Sequence, residues 1–392
     1  MEYLQLFAQL KALSIDKRVT TTLPDSTISV EWRKFISTWE PMNTPCNPKE
    51  AFCDALGRYA DNMVDENREF SYPIFFPESE KKHKRAILLL HGLNERSWEK
   101  YWTWAHFLCK KNGVPVILFP ISFHMNRAPE EWGNPRAMFP LMKETEQKQH
   151  EMGEITTYLN FALSMRLIDD PLRFFNSGHQ SALDIIQLTT QLQQGELARF
   201  EKETSVDFFA YSIGAFFAQI LMVANPNQLF EKSRFFLFCG GALFCDMHGA
   251  SKHILSKDAF ERISEFYLKE IPAQVKKGTP LGQFMVNNPL GQAFYAMLSA
   301  DKNSEMRNNA FKRFSERLYV LSLTKDSVIP PEGIKTAVEP QQQVGKINYE
   351  ELDFPFEYTH EIPFPHDAKP EWQQAVNRAF DEVFTKAASF LL

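Results

Sequence analysis

The sequence has little that would mark a secreted or metal-binding protein. Its 392 residues include only five cysteines, at positions Cys46, Cys53, Cys109, Cys239 and Cys245, and their spacing does not suit a metal site. Disulfide frameworks and zinc sites depend on paired or closely spaced cysteines. Reduced thiols in a cytoplasm are therefore the simpler expectation.

Long apolar runs and an excess of basic charge are also missing. No uninterrupted apolar run approaches the roughly 18 residues of a spanning helix, so the sequence predicts no membrane span. The 43 basic and 49 acidic residues leave a net charge of -6, which argues against a general nucleic-acid-binding protein. Residues 1–18 include an early acidic residue and no continuous apolar core, so they predict an amphipathic helix and not a signal peptide.

The remaining composition is typical of a globular protein, with 44% apolar and 23% charged residues. Its 35 phenylalanines predict a large aromatic core. Short apolar runs alternate with helical patterns, which indicates a mostly parallel sheet flanked by helices. The predicted strands are 72–76, 86–90, 114–120, 206–210, 235–240, 318–323 and 351–356, with a possible edge strand at 27–32. The predicted helices include 95–111, 180–200 with Ser177 and Gly178 at its cap, and 371–391.

In residues 206–226, the spacing of the apolar residues differs before and after a single serine. Residues 206–210 have the length of a buried strand, and beyond Gly214 the apolar side chains recur at helical spacing. Ser212 lies in the tight turn between the two. Such a turn strains its central residue and leaves room only for small side chains two positions before and after it. Ala210 and Gly214 occupy those positions.

This pattern resembles the G-x-S-x-G nucleophile elbow of the α/β-hydrolase superfamily, with alanine replacing the first glycine. The resemblance implies that Ser212 is a nucleophile and that the Ile213 amide forms half of an oxyanion hole. His91 and Gly92 end a predicted strand, as in the oxyanion loop of that superfamily, which implies Leu93 as the second amide donor. His91 itself is expected to pack beneath the site. The strings LLLHGLNERSW and YTHEIPFP are also similar to those of a bacterial hydrolase-like family of uncharacterised function.

The superfamily resemblance extends to a catalytic triad in the chain order Ser, Asp, His. Asp326 lies in a D-x-V-x-P string after strand 318–323 and resembles the acid of the superfamily. His360 follows the last predicted strand and would be the general base. Asp246 and His366 are the alternatives for these two roles, and a turn-forming aspartate and a loop histidine are the structural alternatives.

Two segments stand apart from the strand and helix pattern. Residues 122–140 form a long loop leaving the carboxyl end of a strand, where ligands bind in open α/β sheets. In this loop, His124 and Arg127 would either meet a substrate anion or tether the loop to the core. Asn94, which lies outside the loop, is a third candidate for substrate contact.

Residues 245–313 contain no predicted strand and indicate an inserted helical cap. The predicted organisation is a helical and irregular N-terminal extension, 1–65, a core, 66–244 and 314–392, and the cap, 245–313.

Together these features predict a cytoplasmic serine hydrolase with an α/β-hydrolase fold. It would cleave an ester or related acyl bond of a small molecule through an acyl-enzyme, without a metal ion or organic cofactor. A non-catalytic binding protein of the same fold is the alternative from another class, and a peptidase using the same triad is a second alternative. The sequence indicates neither the acyl and leaving groups nor the oligomeric state.

Overall fold

The apolar runs of the chain form a single sheet. A computed structural model describes residues 2–13, 15, 20–23, 27–39, 61, 64–79, 81–149, 156–342 and 347–392. Within these residues the sheet has nine strands. They are β1 (Thr21–Thr22), β2 (Ile28–Ile36), β3 (Glu69–Pro77), β4 (His83–Leu90), β5 (Val116–Leu118), β6 (Phe200–Tyr211), β7 (Phe235–Phe238), β8 (Leu318–Leu323) and β9 (Asn348–Leu352).

Helices cover both faces of the sheet. They are α1 (Tyr3–Ala12), α2 (Asp65–Arg68), α3 (Glu99–Asn112), α4 (Pro135–Gln149), α5 (Tyr158–Asp169), α6 (Leu172–Gln194), α7 (Ile213–Ala224), α8 (Lys257–Glu265), α9 (Ile271–Lys277), α10 (Pro280–Asn287), α11 (Pro289–Ala296), α12 (Ser304–Phe314), α13 (Pro331–Gln342) and α14 (Gln373–Phe390). A π-helical turn, Phe266–Glu270, joins α8 to α9. Among the residues described, no helix is both long and apolar enough to cross a membrane.

The strand order is β1-β2-β3-β5-β4-β6-β7-β8-β9. The pairs β1–β2, β2–β3 and β3–β5 are antiparallel, and every pair from β5 to β9 is parallel. Phe208 and Ala210 of β6 belong to one buried cluster and Phe209 and Tyr211 to the other, so the central strand is buried on both faces. This is an α/β-hydrolase fold, and the predicted fold class is confirmed.

The N-terminal segment supplies two strands to the sheet, and β2 covers most of the strand expected at residues 27–32. β2 pairs with β3 over nine residues, from Ile28 opposite Pro77 to Ile36 opposite Glu69, and β1 lies outside β2. Ile28 and Val30 are buried at alternate positions, so one face of β2 joins the core. Helix α6 also begins earlier than predicted, directly after Pro171, so Ser177 and Gly178 lie inside it.

The stretch between β7 and β8 is helical, as its sequence indicated. It contains α8 to α12, and the structure describes all of residues 245–313 without a named strand. Helices α11 and α12 contact α7, and α8 contacts α5. Its assignment as a cap that selects the substrate stays a prediction, as do the domain boundaries.

Candidate active site

Ser212 lies alone between strand β6 and helix α7, in a strained backbone conformation. Its φ is 58° and its ψ is -123°, a region that residues other than glycine rarely adopt. Gly214 makes this turn sterically feasible, because a Cβ at that position would lie 2.7 Å from the His91 carbonyl oxygen and 2.9 Å from the Leu90 carbonyl carbon. Ala210 is fully buried two residues before the serine. The small residues therefore permit the close approach of α7 to β4.

Three side chains from distant parts of the chain form a continuous hydrogen-bonded series at Ser212. Ser212 Oγ lies 2.6 Å from His360 Nε2, and His360 Nδ1 lies 2.7 Å from Asp326 Oδ2. All three residues are buried. Because a carboxylate only accepts hydrogen bonds, His360 Nδ1 carries the proton and Nε2 is free to accept one from the serine hydroxyl.

The turn after β8 fixes the carboxylate of Asp326. Its Oδ1 accepts hydrogen bonds from the Val328 and Ile329 amides, each at 2.9 Å, while Oδ2 faces the histidine. Both oxygens are therefore engaged, and the carboxylate cannot rotate without losing these bonds. The D-x-V-x-P string thus orients the carboxylate through its own backbone.

The two residues expected to donate to an oxyanion, Leu93 and Ile213, follow neighbouring strands of the sheet. Ile213 begins α7, where amides have no intrahelical acceptor, and Leu93 follows β4. Among the described residues, neither the Leu93 amide nor the Ile213 amide donates a hydrogen bond to a backbone carbonyl. The neighbouring Gly92 amide instead donates to the Tyr101 hydroxyl at 3.0 Å, and that hydroxyl donates to Glu95. The Gly92 amide is therefore engaged within the protein, whereas no hydrogen bond of the Leu93 amide is found among the described residues.

Two small apolar cavities meet at Leu93 and Ile213. The larger has a volume of about 60 Å³ and the smaller about 40 Å³, and Ser212 lines the smaller one. Phe174 lies in both walls. No Asp, Glu, Lys or Arg of the described chain lines either cavity. The space around the serine therefore suits uncharged groups.

Comparison with known proteins places the whole chain in one family. Residues 1–392 match the Family of unknown function (DUF6051). The chain belongs to this family. Comparison with the curated proteins finds no match.

Solved structures that resemble this DUF6051 protein include two esterases and an alpha-beta-hydrolase. An esterase from Pseudomonas putida ECU1011 is 11% identical, with 99% of this chain and 88% of that chain covered and a TM-score of 0.44. An esterase of Pyrobaculum calidifontis is 9% identical, with 98% and 91% covered and a TM-score of 0.44. A peroxisomal alpha-beta-hydrolase of Saccharomyces cerevisiae is 11% identical, with 92% and 89% covered and a TM-score of 0.41.

Arg127 of the DUF6051 protein is a structural tether. Its guanidinium is fully buried and lies 2.7 Å from the Asp184 carboxylate. It also donates to the Asn67 side chain and carbonyl and to the Pro120 carbonyl. Burial lowers the pKa of Arg127 and the Asp184 carboxylate opposes this shift. The expectation that Arg127 meets a substrate anion is therefore not supported, because the guanidinium is fully buried and each of its three nitrogens already donates within the protein.

Asn94 likewise connects segments of the protein. Its side-chain amide donates to the Leu159 and His253 carbonyls, each at 2.8 Å. These bonds join the loop after β4 to α5 and to the stretch before α8. The structure thus gives Asn94 a structural role, in place of the substrate contact that the sequence suggested.

Two buried histidines lie next to the site. His91 Nδ1 faces the Gly92 carbonyl and Nε2 accepts from the Ile121 amide at 2.9 Å, so both nitrogens are engaged within the protein. Burial lowers the pKa of His91 well below its usual value. The burial of His91 agrees with the expectation that this residue packs beneath the site. His124 lines the larger cavity, and its ring lies 5.4 Å from that of His91.

The alternative acid and base lie elsewhere. His366 is exposed and stacks on Phe7, with ring centroids 4.6 Å apart. Asp246 packs against Gly333 at the start of α13 and hydrogen bonds to Cys245. Neither residue takes part in the series that ends at Ser212. Among the described residues, no group of three or more His, Cys, Asp or Glu side chains could hold a metal ion.

Sequence reasoning missed the residues that hold the histidine loop. The Tyr211 hydroxyl donates to the His360 carbonyl, and the two rings are stacked 5.6 Å apart. Lys100 Nζ donates to the Glu361 carbonyl at 3.0 Å, and the Ser251 hydroxyl donates to the Glu361 carboxylate at 2.6 Å. The one available signal was the position of Tyr211 inside the A-Y-S-I-G string. Nothing in the sequence indicated its partner 149 residues away.

Proposed function

We propose that this protein is a serine hydrolase that cleaves an ester or related acyl bond of a small molecule. The observation that carries the proposal is the buried series Ser212, His360 and Asp326, with contacts of 2.6 and 2.7 Å. A serine hydroxyl becomes a useful nucleophile only when a base takes its proton, and the orientation of that base requires a third group. Ser212, in its strained turn, would be the nucleophile, His360 the base and Asp326 the group that orients the base.

In the first half of the proposed reaction, Ser212 Oγ attacks the substrate carbonyl carbon while His360 Nε2 takes the hydroxyl proton. The Asp326 carboxylate stabilises the resulting imidazolium through Nδ1. The Leu93 and Ile213 amides donate to the oxyanion as charge develops on it. His360 then protonates the leaving oxygen, which departs as an alcohol and leaves an ester on Ser212.

The second half repeats these steps with water as the nucleophile. His360 takes a proton from the water as its oxygen attacks the acyl-enzyme, and the same two amides hold the second oxyanion. The proton then returns through His360 to Ser212 Oγ, and a carboxylic acid leaves. The small apolar cavities support an uncharged substrate. The cytoplasmic location and the bacterial source expected from the sequence stay predictions.

A fluorophosphonate probe tests the proposal directly. The wild-type protein should be labelled covalently at Ser212, and Ser212→Ala should abolish the labelling. Ser233→Ala is the matched control, because Ser233 is also a buried serine but its hydroxyl donates to the carbonyl of Val206 on β6. Val206 lies six positions before Ser212 in the chain. The Ser233→Ala variant should retain the labelling.

Labelling that persists in Ser212→Ala would mean that another residue is the nucleophile. A folded wild-type protein that is not labelled would support the non-catalytic binding protein. Parallel assays with a p-nitrophenyl ester and the corresponding p-nitroanilide would separate an esterase from a peptidase. We expect turnover of the ester.

A further inference from the structure

The ammonium group of Lys100 lies next to the segments that carry the proposed nucleophile and base. Lys100 is in the first turn of α3, and its Nζ donates to the Glu361 carbonyl at 3.0 Å. Glu361 directly follows His360 in the chain. The same nitrogen lies 4.7 Å from the centre of the Tyr211 ring, a distance at which an aromatic face attracts a cation. Since Tyr211 directly precedes Ser212, Lys100 contacts both segments at once.

Lys100 also reaches the loop after β4. Its Nζ forms an ion pair with Oε1 of Glu95 in that loop. The same oxygen accepts from the Tyr101 hydroxyl, which itself accepts from the Gly92 amide at 3.0 Å. Burial raises the pKa of Tyr101 well above its usual value, so the hydroxyl keeps the proton that it donates. A continuous polar network therefore runs from the backbone of this loop through Lys100 to the backbone at Glu361.

The proposed reaction depends on the position of the loop that carries His360. His360 Nε2 lies 2.6 Å from Ser212 Oγ, and it can take the hydroxyl proton only at such a distance. Two consecutive carbonyls of this loop are held, that of His360 by the Tyr211 hydroxyl and that of Glu361 by Lys100. A displacement of about 1 Å in a catalytic geometry can lower the rate by roughly 10²-fold. Loss of either contact would therefore affect the rate more than the fold.

We propose that Lys100 is a positioning residue that fixes the loop of His360 relative to the loop of Leu93. This inference rests on the proposed hydrolase function. Lys100 acts through these contacts and not on the substrate, because it lines a separate cavity of about 190 Å³ together with Glu95. Ser212 and His360 are not among the described residues that line this cavity. Removal of the ammonium group should therefore slow the chemical steps and leave substrate binding unchanged.

Hydrolysis of p-nitrophenyl acetate by the full chain tests the inference. Lys100→Met keeps an unbranched side chain without the ammonium group, and it should lower kcat about 10- to 100-fold with KM within about twofold of the wild-type value. The rate of fluorophosphonate labelling should also fall, because labelling needs the same base. Lys11→Met is the matched control, since Lys11 is also paired with a glutamate, Glu99 at 3.1 Å, but is exposed. It should keep the wild-type kcat.

Two further variants separate positioning from stability. Lys100→Met leaves the Glu95 carboxylate without its cation, which by itself can lower the free energy of unfolding. Lys100→Met/Glu95→Gln removes that charge and keeps an acceptor for the Tyr101 hydroxyl, so it should regain stability in urea denaturation while kcat stays low. Lys100→Arg keeps a positive charge and several N–H donors, and the adjacent cavity gives room for the guanidinium. Its kcat should lie closer to the wild-type value than to that of Lys100→Met.

The possible failures are distinguishable. Wild-type kcat in folded Lys100→Met, an equal loss in Lys11→Met, or recovery of kcat together with stability in the double variant would overturn this inference and leave the hydrolase proposal intact. A loss that appears mainly as a higher KM would also overturn it, because Lys100 would then contact the substrate. The same holds if Lys100→Arg is no more active than Lys100→Met. No hydrolysis and no fluorophosphonate labelling of the wild-type protein would instead overturn the proposed function on which it rests.

Discussion

Replacement of Asp326 by asparagine should leave the protein folded and remove most of its activity. The Val328 and Ile329 amides both donate to Oδ1, so the asparagine oxygen should take that position. Its NH₂ group must then face His360 Nδ1 in place of Oδ2. Since NH₂ only donates there, Nδ1 would have to accept, and the ring proton would move to Nε2. A protonated Nε2 cannot take the proton of Ser212.

The two expected magnitudes differ strongly. Loss of general base catalysis should lower kcat/KM by roughly 10²- to 10⁴-fold. The asparagine keeps three hydrogen bonds and loses only their charge assistance, which should cost about 1–3 kcal/mol of the free energy of unfolding. A protein with an unfolding free energy of about 5–15 kcal/mol remains folded after such a loss.

Hydrolysis of p-nitrophenyl acetate and urea denaturation measure the two quantities on the same preparation. Asp246→Asn is the matched control, since this alternative acid lies outside the hydrogen-bonded series, and it should keep its activity. The reasoning would be refuted if Asp326→Asn lost less than about tenfold in kcat/KM. It would also be refuted if activity declined only in proportion to the fraction of folded protein.

Two further substitutions test the structural support of the site. Gly214→Ala should lower the free energy of unfolding by about 1–3 kcal/mol and reduce esterase activity, because its Cβ would press on the backbone at the end of β4, 2.7 Å from the His91 oxygen. Gly178→Ala has no such contact within 4 Å and should be neutral or stabilising, and equal losses in the two variants would contradict the argument. Arg127→Met should cost about 3–5 kcal/mol in urea denaturation because Asp184 stays buried without its partner. A smaller loss in Arg127→Met/Asp184→Leu should confirm that the unpaired charge is the cause, and a loss below about 1 kcal/mol in the single variant would refute it.

The elements that could be predicted from the sequence depend on local patterns. The apolar run 318–323 is found as β8 over the same residues, because a strand buried on both faces needs continuous apolar side chains. The turn at Ser212 was predictable for a similar reason, since Ala210 and Gly214 satisfy a steric requirement within five residues. The boundaries were less certain: β6 begins at Phe200, well before its apolar run, because its pairing with β4 extends into polar residues.

The sequence by itself therefore determined the order of the main strands from β3 to β9, the strained turn and the candidates for the three polar side chains. Only the tertiary structure decided which candidates meet. It brought His360 and not His366 to Ser212, and it placed the buried Arg127 against Asp184. The physical reason is that periodicity and steric limits act between near neighbours in the chain. Contacts such as that of Tyr211 with His360 depend on how strand ends converge in the folded sheet.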